Sequence, residues 1–441
     1  VSAVLDDALR RATDTRRAAV GRGVLANAGA LVRAELGGGP YRVVADDNTW
    51  AAAGEELTAS LRSAGLIVVD PLIFPGSPRL YASLDNAETI QAELGDAVGV
   101  ALGSGTISDL VKVASFSLDR EYAVVGTAAS MDGYTGAGAP MSRDGVKVTY
   151  NCKAPAVVVM DLEVIARAPG ALTASGYGDL AAKIPGGADW ILADITGVEP
   201  IDEGVWATVQ SGVSAALAHP AELAAGNPEA FSGLVEGLVL SGLAMQDFGG
   251  TRPASGAEHY FSHLWELEHL GEELDPPASH GFKVAIGSLA MCAFYEAFLA
   301  ADLSKVDVAA VADERAEWAE VEADIRSKFD GALAEHAVRE TRAKYLRGPG
   351  LAARLRPVQQ TWPEVRERLR KQLVPTAELA RMLELAGAPS RPEDIGLTFD
   401  YVRRTFRRAM YYRSRYTVLD VAWEFGLFDA LVEEVFTRIW R

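Results

Sequence analysis

Over its first 160 residues the chain alternates short apolar, β-branched runs with stretches of helical period. The apolar runs fall at residues 41–45, 66–69, 97–102, 122–126 and 156–160, with helical patterns at 49–64 and 87–94 between them. Strand-length and helix-length segments in alternation predict βαβ units and a mainly parallel sheet covered on both faces, a Rossmann-like α/β domain. Around Asp161 the pattern changes. From Leu162 onward apolar positions recur almost only at the 3.6-residue period, as at 204–218, 230–245, 280–300 and 313–346. The expected architecture is an α/β domain over residues 1–161 and an all-helical domain over 162–441. The Arg-Gly-Pro-Gly stretch at 347–350 reads as a turn inside the helical part.

Composition narrows the classes of function. The chain of 441 residues carries 42 basic and 60 acidic side chains, net −18. That balance argues against a nucleic-acid partner, which needs cations to displace counterions from phosphates. The excess of acid sits in the first 300 residues, with 37 acidic and 18 basic side chains. Residues 341–441 reverse it, with 19 basic and 12 acidic. The arginines at 403, 404, 407, 408, 413 and 415 alternate with Tyr401, Phe406, Tyr411 and Tyr412, as in a packed helix or subunit interface. Pairing with acids at 313–324 or in the N-terminal domain is favoured over an anionic membrane surface. No uninterrupted apolar run reaches 18 residues, so no stable membrane insertion is expected. Cys152 and Cys292 lie among small or apolar residues and read as buried free thiols in a reducing cytoplasm.

Two segments carry candidate chemistry. The run at 97–102 leads into Gly103-Ser104-Gly105 and a helical pattern at 106–116. A strand, a glycine turn and a helix N-terminus suit a phosphate, because main-chain N–H groups and the helix dipole favour negative charge there. Ser108 stands where a full G-x-G-x-x-G would have its last glycine, so a plain strand–helix turn is an equal reading. Asp46 ends an apolar run and suits either a ribose hydroxyl or a helix N-cap. The second segment holds four of the six histidines: His259, His263, His269 and His280. His259 and His263 share a helix face. Tyr260 replaces the glutamate that a zinc protease would need, and the Pro276-Pro277 break can turn the chain so that His280 returns towards His259. Spacing leaves a metal site and a set of ordinary core and surface histidines equally open. His269, among Glu266, Glu268, Glu272 and Glu273, reads as a solvated position.

The motifs GSGTISD (103–109), TAASMDGY (127–134), ASGYGDLAAK (174–183), GAEHYFSH (256–263) and HGFKVAIG (280–287) occur in one order. Together they resemble the iron-containing alcohol dehydrogenase and glycerol dehydrogenase superfamily, and within it the sn-glycerol-1-phosphate dehydrogenase branch of bacterial type. The run SRYTVLDVAWEFGLF (414–428) extends the resemblance to nearly the whole chain. The resemblance implies a dinucleotide-binding domain, a helical metal- and substrate-binding domain, a dehydroquinate synthase-like architecture and a cytoplasmic homodimer.

Carried over motif by motif, the resemblance implies cofactor contacts at Asp46, Gly105, Thr106, Ile107, Ser108, Asp109, Thr127, Ala128, Ala129 and Ser130. It implies substrate contacts at Asp132, Asp179 and His263, and metal ligands at Asp179, His259 and His280. Asp179 and His263 take the catalytic roles. Gly136 stands where the family often has a serine touching the cofactor, and residues 183–188 (KIPGGA) depart from the expected helical continuation. The implied reaction transfers hydride between NAD or NADP and dihydroxyacetone phosphate, giving sn-glycerol 1-phosphate, a precursor of phospholipids in some organisms. One divalent ion, nickel, zinc or iron, polarises the carbonyl. Lys153 and Lys183 are candidates for the substrate phosphate, with a surface position the simpler reading. A polyol dehydrogenase acting on glycerol and a carbocycle synthase related to dehydroquinate synthase are the alternatives. The basic motifs of the synthase are not found.

Overall fold

The computed structural model describes residues 2–143 and 146–440. Among them, strands β1 (Arg17–Gly21), β2 (Pro40–Asp46), β3 (Ile67–Val68), β4 (Leu72–Phe74), β5 (Val98–Gly103), β6 (Ala123–Gly126) and β9 (Val157–Asp161) form one sheet. Its order is β1-β9-β6-β5-β2-β3, with β4 also on β2, and every pairing is parallel. Strands β7 (Ala139–Arg143) and β8 (Val146–Tyr150) form a separate antiparallel pair.

The runs read from the sequence correspond to β2, β3, β5, β6 and β9. Val43, Val100, Leu102, Val125, Val157 and Val159 are buried with Leu25, Val32, Leu57 and Leu61 from the covering helices. Burial on both faces is what makes such strands continuous apolar runs. Strand β1 lacked that signal: Arg17-Ala-Ala-Val-Gly holds one β-branched residue, and its place at the sheet edge, beside β9, leaves it partly exposed.

The chain divides into two compact units. A sheet unit comprises Val1–Leu180, Gly204–Ala254 and Leu385–Gly387; a helical unit comprises Ala181–Glu203, Ser255–Glu384 and Ala388–Arg441. The sheet unit thus reaches past the change of pattern at Asp161, and the Pro228–Phe248 helix shows why. Gln246 accepts from the Asp14 and Thr15 main-chain N–H groups at 2.9 and 3.1 Å and donates to Thr15 Oγ1 and the Thr135 carbonyl. These bonds fasten the helix to the α/β part, although its periodicity is purely helical.

In the helical unit the His280–Ala300 helix coincides with its sequence reading. It is long and apolar enough to cross a membrane, but 83% of that stretch is buried inside the protein. The single segment expected at 313–346 is instead Val308–Asp313, Trp318–Lys328 and Gly331–Lys344. Extended residues at Glu317, Phe329 and Asp330, and a left-handed Gly331, break it. The stretch at 347–350 opens the Gly348–Gln360 helix, with proline in its first turn.

Candidate functional site

In the sheet unit, β5 ends at Gly103 and the Gly105–Ser117 helix follows directly. Ser104 occupies the N-cap without capping through its hydroxyl, which leaves the first-turn N–H groups of Gly105, Thr106 and Ile107 to serve an anion. A Cβ on Gly103 would lie 2.8 Å from Ile107 Cδ1, so the strand end can meet the helix this closely only as glycine. Ser108 is fully buried under the loop. Lys112, also buried, contacts Asp109 Oδ1 at 3.3 Å and donates to the carbonyls of Gly133, Gly136 and Gly138 at 3.3, 3.0 and 2.9 Å. It therefore gathers the segment that carries Gly136. A Cβ at Gly136 would lie 3.1 Å from the mobile end of Met245.

After β6, the turn Thr127, Ala128, Ala129 and Ser130 is buried. Tyr134 braces it, donating to the Ala128 carbonyl at 2.5 Å and lying 3.1 Å from Ser130 Oγ. Ser175 Oγ donates to the Ser130 carbonyl at 2.9 Å, joining the turn to the Gly170–Ala181 helix. That helix carries Asp179, which is fully buried and accepts from the Asp132 main-chain N–H at 2.9 Å through Oδ2. Asp132 Oδ2 in turn accepts from Ser241 Oγ at 2.8 Å. Asp46 serves as a helix N-cap: its Oδ1 accepts from the Thr49 N–H at 2.8 Å, and Thr49 Oγ1 closes a capping box.

In the helical unit, Ala257–Leu267 and His280–Ala300 present His259, His263 and His280 as a triangle of rings. Centroids are 5.9 Å apart for His259–His263, 5.5 Å for His259–His280 and 6.1 Å for His263–His280. The reversal at 276–277 does bring His280 back to His259. Each of these two rings rests its Nδ1 on a carboxylate: His259 on Glu258 Oε1 at 3.0 Å, His280 on Glu266 Oε1 at 2.6 Å. A proton held at Nδ1 leaves the Nε2 lone pair for a metal ion. For His263, burial holds the pKa well below the ordinary histidine value, against the opposing pull of Glu266. His269 lies past the helix end in a left-handed conformation, exposed beside Glu272.

Four residues of this arrangement escape a reading by motif. Glu258 and Glu266 were visible as acids near histidines, but only the fold shows which ring each one supports. Lys112 sits three residues after Asp109 inside an apolar run, the pattern of a lysine drawn inward. Asp189 is fully buried and accepts from Tyr295 Oη at 2.6 Å and the Val418 and Ala257 N–H groups at 2.9 and 2.8 Å. Of the phosphate candidates, Lys153 is exposed, whereas Lys183 is buried, contrary to a surface position. The helix from Lys183 to Ile195 runs straight through Pro185-Gly186-Gly187, and a Cβ on Gly186 would lie 3.2 Å from the Gly256 nitrogen. The C-terminal arginines are largely paired inside their own unit: Arg403 with Glu433, Arg404 with Asp400, Arg407 with Asp429 and Arg408 with Glu268. Of the acids expected as partners at 313–324, Asp324 adds a favourable charge to Arg407. Both cysteines are buried free thiols.

Comparison with known proteins follows this geometry. Residues 19–169 match the family described as iron-containing alcohol dehydrogenase. Over 280 residues the chain is 31% identical to a glycerol-1-phosphate dehydrogenase, NAD(P)+, of Aeropyrum pernix, covering 63% of this chain and 76% of the relative. The chain belongs to the glycerol-1-phosphate dehydrogenase family of iron-containing alcohol dehydrogenases. A second member, from Halalkalibacterium halodurans, is 36% identical over 258 residues, 58% of this chain. The chain matches 64% of that relative's length, just under two thirds. Among solved structures, glycerol dehydrogenase from Schizosaccharomyces pombe superposes with a TM-score of 0.60 at 17% identity, over 96% of this chain and 91% of that one. This likeness shows the same fold.

Proposed function

We propose that the protein is a metal-dependent oxidoreductase that transfers hydride between NAD(P)H and dihydroxyacetone phosphate to give sn-glycerol 1-phosphate. The observation that carries the reading is the pair of histidines whose Nδ1 atoms rest on Glu258 and Glu266, in a chain of this family. With Asp179 they offer one carboxylate and two imidazoles. That donor set suits zinc, nickel or iron.

Bound there, a divalent ion supplies Lewis acidity that polarises a carbonyl and stabilises negative charge on its oxygen. The chain supplies orientation and proton handling. Glu258 and Glu266 fix the ring tautomers of His259 and His280. Asp132, tied to Ser241 and Asp179, orients the substrate hydroxyls. His263, kept neutral by burial, would accept the proton of the substrate hydroxyl in the direction of alcohol oxidation and, once protonated from solvent, return it to the oxygen in reduction. The first turn after Ser104 and the buried Thr127–Ser130 turn hold the dinucleotide phosphates and the adjoining part of the cofactor.

The cytoplasmic location and the homodimer belong to the same proposal, supported by free buried thiols and by family membership. Initial rates of NADH oxidation with dihydroxyacetone phosphate and with unphosphorylated dihydroxyacetone test the substrate. A kcat/KM at least about a hundredfold higher for the phosphorylated ketone is expected, since a pocket that pairs an anion leaves cationic groups unmatched with the other. Equal values favour the polyol reading.

A further inference from the structure

The helix bearing His259 starts at a crowded junction in the helical unit. Asp189, fully buried on the Lys183–Ile195 helix, uses both carboxylate oxygens there. Oδ2 accepts from the N–H of Ala257, the first residue of the Ala257–Leu267 helix, at 2.8 Å. Oδ1 accepts from the N–H of Val418, the first residue of the Val418–Glu424 helix, at 2.9 Å, and from Tyr295 Oη at 2.6 Å. Tyr295 belongs to the helix that begins with His280. One carboxylate thus satisfies orphan donors at two helix starts and tethers the helix carrying the other histidine.

The packing around it leaves little freedom. A Cβ on Gly256 would lie 2.6 Å from Asp189 Oδ2 and 2.8 Å from Gly186 Cα, and one on Gly287 would run into the Glu258 carbonyl. Arg415 closes the junction from the C-terminal segment, donating through Nη1 to the Ser255 carbonyl at 2.7 Å and to Ser255 Oγ at 2.6 Å. Arg415 therefore holds Ser255 directly, while Val418 shares the Asp189 carboxylate with Ala257, on the two sides of Gly256, three residues before His259.

We propose that Asp189 is a positioning residue for His259, and that residues 415–418 are part of the frame of the metal site. The inference rests on the metal reading above. The direction of His259 Nε2 depends on the first turn of its helix, and that turn is held by Asp189 on one side and Arg415 on the other. An asparagine at 189 has one acceptor oxygen and an amide NH2. It sets a donor against one of the two helix N–H groups, so the first turn shifts while the side-chain volume is kept.

The test uses the full-length protein stripped of metal and titrated with Co2+, followed by calorimetry and visible absorption. Asp189→Asn is expected to bind Co2+ about 10- to 100-fold more weakly than wild type and to change the ligand-field bands. Tyr295→Phe, which leaves both helix starts bonded, is expected to keep the wild-type spectrum. Val418→Pro removes a single N–H at a helix position that accepts proline, and provides the gentler variant if Asp189→Asn does not fold. It is expected to weaken binding in the same direction. A folded Asp189→Asn or Val418→Pro protein with wild-type affinity and spectrum overturns the inference. Absence of Co2+ binding by the wild type is a different failure, and it overturns the metal reading on which the inference rests.

Discussion

The main-chain N–H of Asp132 donates to Asp179 Oδ2 at 2.9 Å, which joins the proposed substrate-orienting aspartate to the proposed metal-ligating one. A change at Asp179 therefore disturbs two functions together. Asp179→Asn can accept from the Asp132 N–H only through its single oxygen, which leaves an NH2 that cannot ligate an ion, and it gives up the negative charge that balances a divalent ion. The expected outcome is loss of bound metal and a fall in activity of at least about a hundredfold. Metal content of the purified variant, measured beside its turnover, checks this; full activity without metal would refute it.

Lys112 is buried and held by three carbonyls and Asp109. Replacing it by methionine takes the donor from the Gly136 and Gly138 carbonyls and the cation from Asp109, while Gly133 keeps its bond from the Gly136 N–H, at a cost of about 3–5 kcal/mol. It also loosens residues 133–138, where Gly136 lies. Lys112→Met should therefore lower the denaturant midpoint and weaken NADH binding together. Fluorescence titration with NADH on the folded variant separates the two effects, and unchanged affinity would remove Lys112 from the account of the cofactor site.

Gly242 lets the Pro228–Phe248 helix press on the same segment. A Cβ there would run into Thr135 Oγ1 and lie 2.7 Å from the Gly136 nitrogen. Backbone cannot give way as a side-chain tip can, so Gly242→Ala should destabilise the protein by about 1–3 kcal/mol. Gly136→Ser meets only the end of Met245 and should cost little. Urea unfolding of both variants compares the two outcomes directly.

Burial, then the nearby Glu258 carboxylate, pushes the Asp189 pKa up from 3.8 to about 6, against hydrogen bonds from Tyr295, Val418 and Ala257. The folded protein holds this proton over a range in which the unfolded chain has released it. Its contribution to stability is complete below about pH 4 and is lost as the pH rises through about 6, a change on the order of 3 kcal/mol. Asp189→Asn cannot titrate, so its stability relative to wild type should rise across that window. Denaturant unfolding of the metal-free proteins between pH 4 and 7 measures the difference.

The parallel sheet was legible because strands covered on both faces must be apolar throughout, and five of its seven described strands announced themselves that way. Strand β1, at the edge, did not. The histidine window was legible as a cluster, and the chain reversal returned His280 to His259 as the proline break implied. Asp179 came from resemblance alone, since a single aspartate in a small-residue helix carries no spacing signal. Asp46 illustrates the converse: the first-strand acid that resemblance linked to the cofactor also forms a capping box with Thr49, a bond visible as soon as Asp-Asp-Asn-Thr is read as a helix start. Lys112 and Asp189 were hidden because buried polar groups take their meaning from long-range partners, which periodicity does not encode; Glu258 stands beside His259 in the sequence, but adjacency alone does not show that it supports that ring.

The central claim is metal-dependent reduction of a phosphorylated ketone. Purified protein would be incubated with dihydroxyacetone phosphate and NADH, with and without a chelator, and the chirality of the product determined. The account predicts NADH oxidation that the chelator abolishes and added divalent ion restores, with sn-glycerol 1-phosphate as product. NADH oxidation indifferent to the chelator, formation of the opposite enantiomer, or no net NADH consumption in the metal-loaded protein would contradict it.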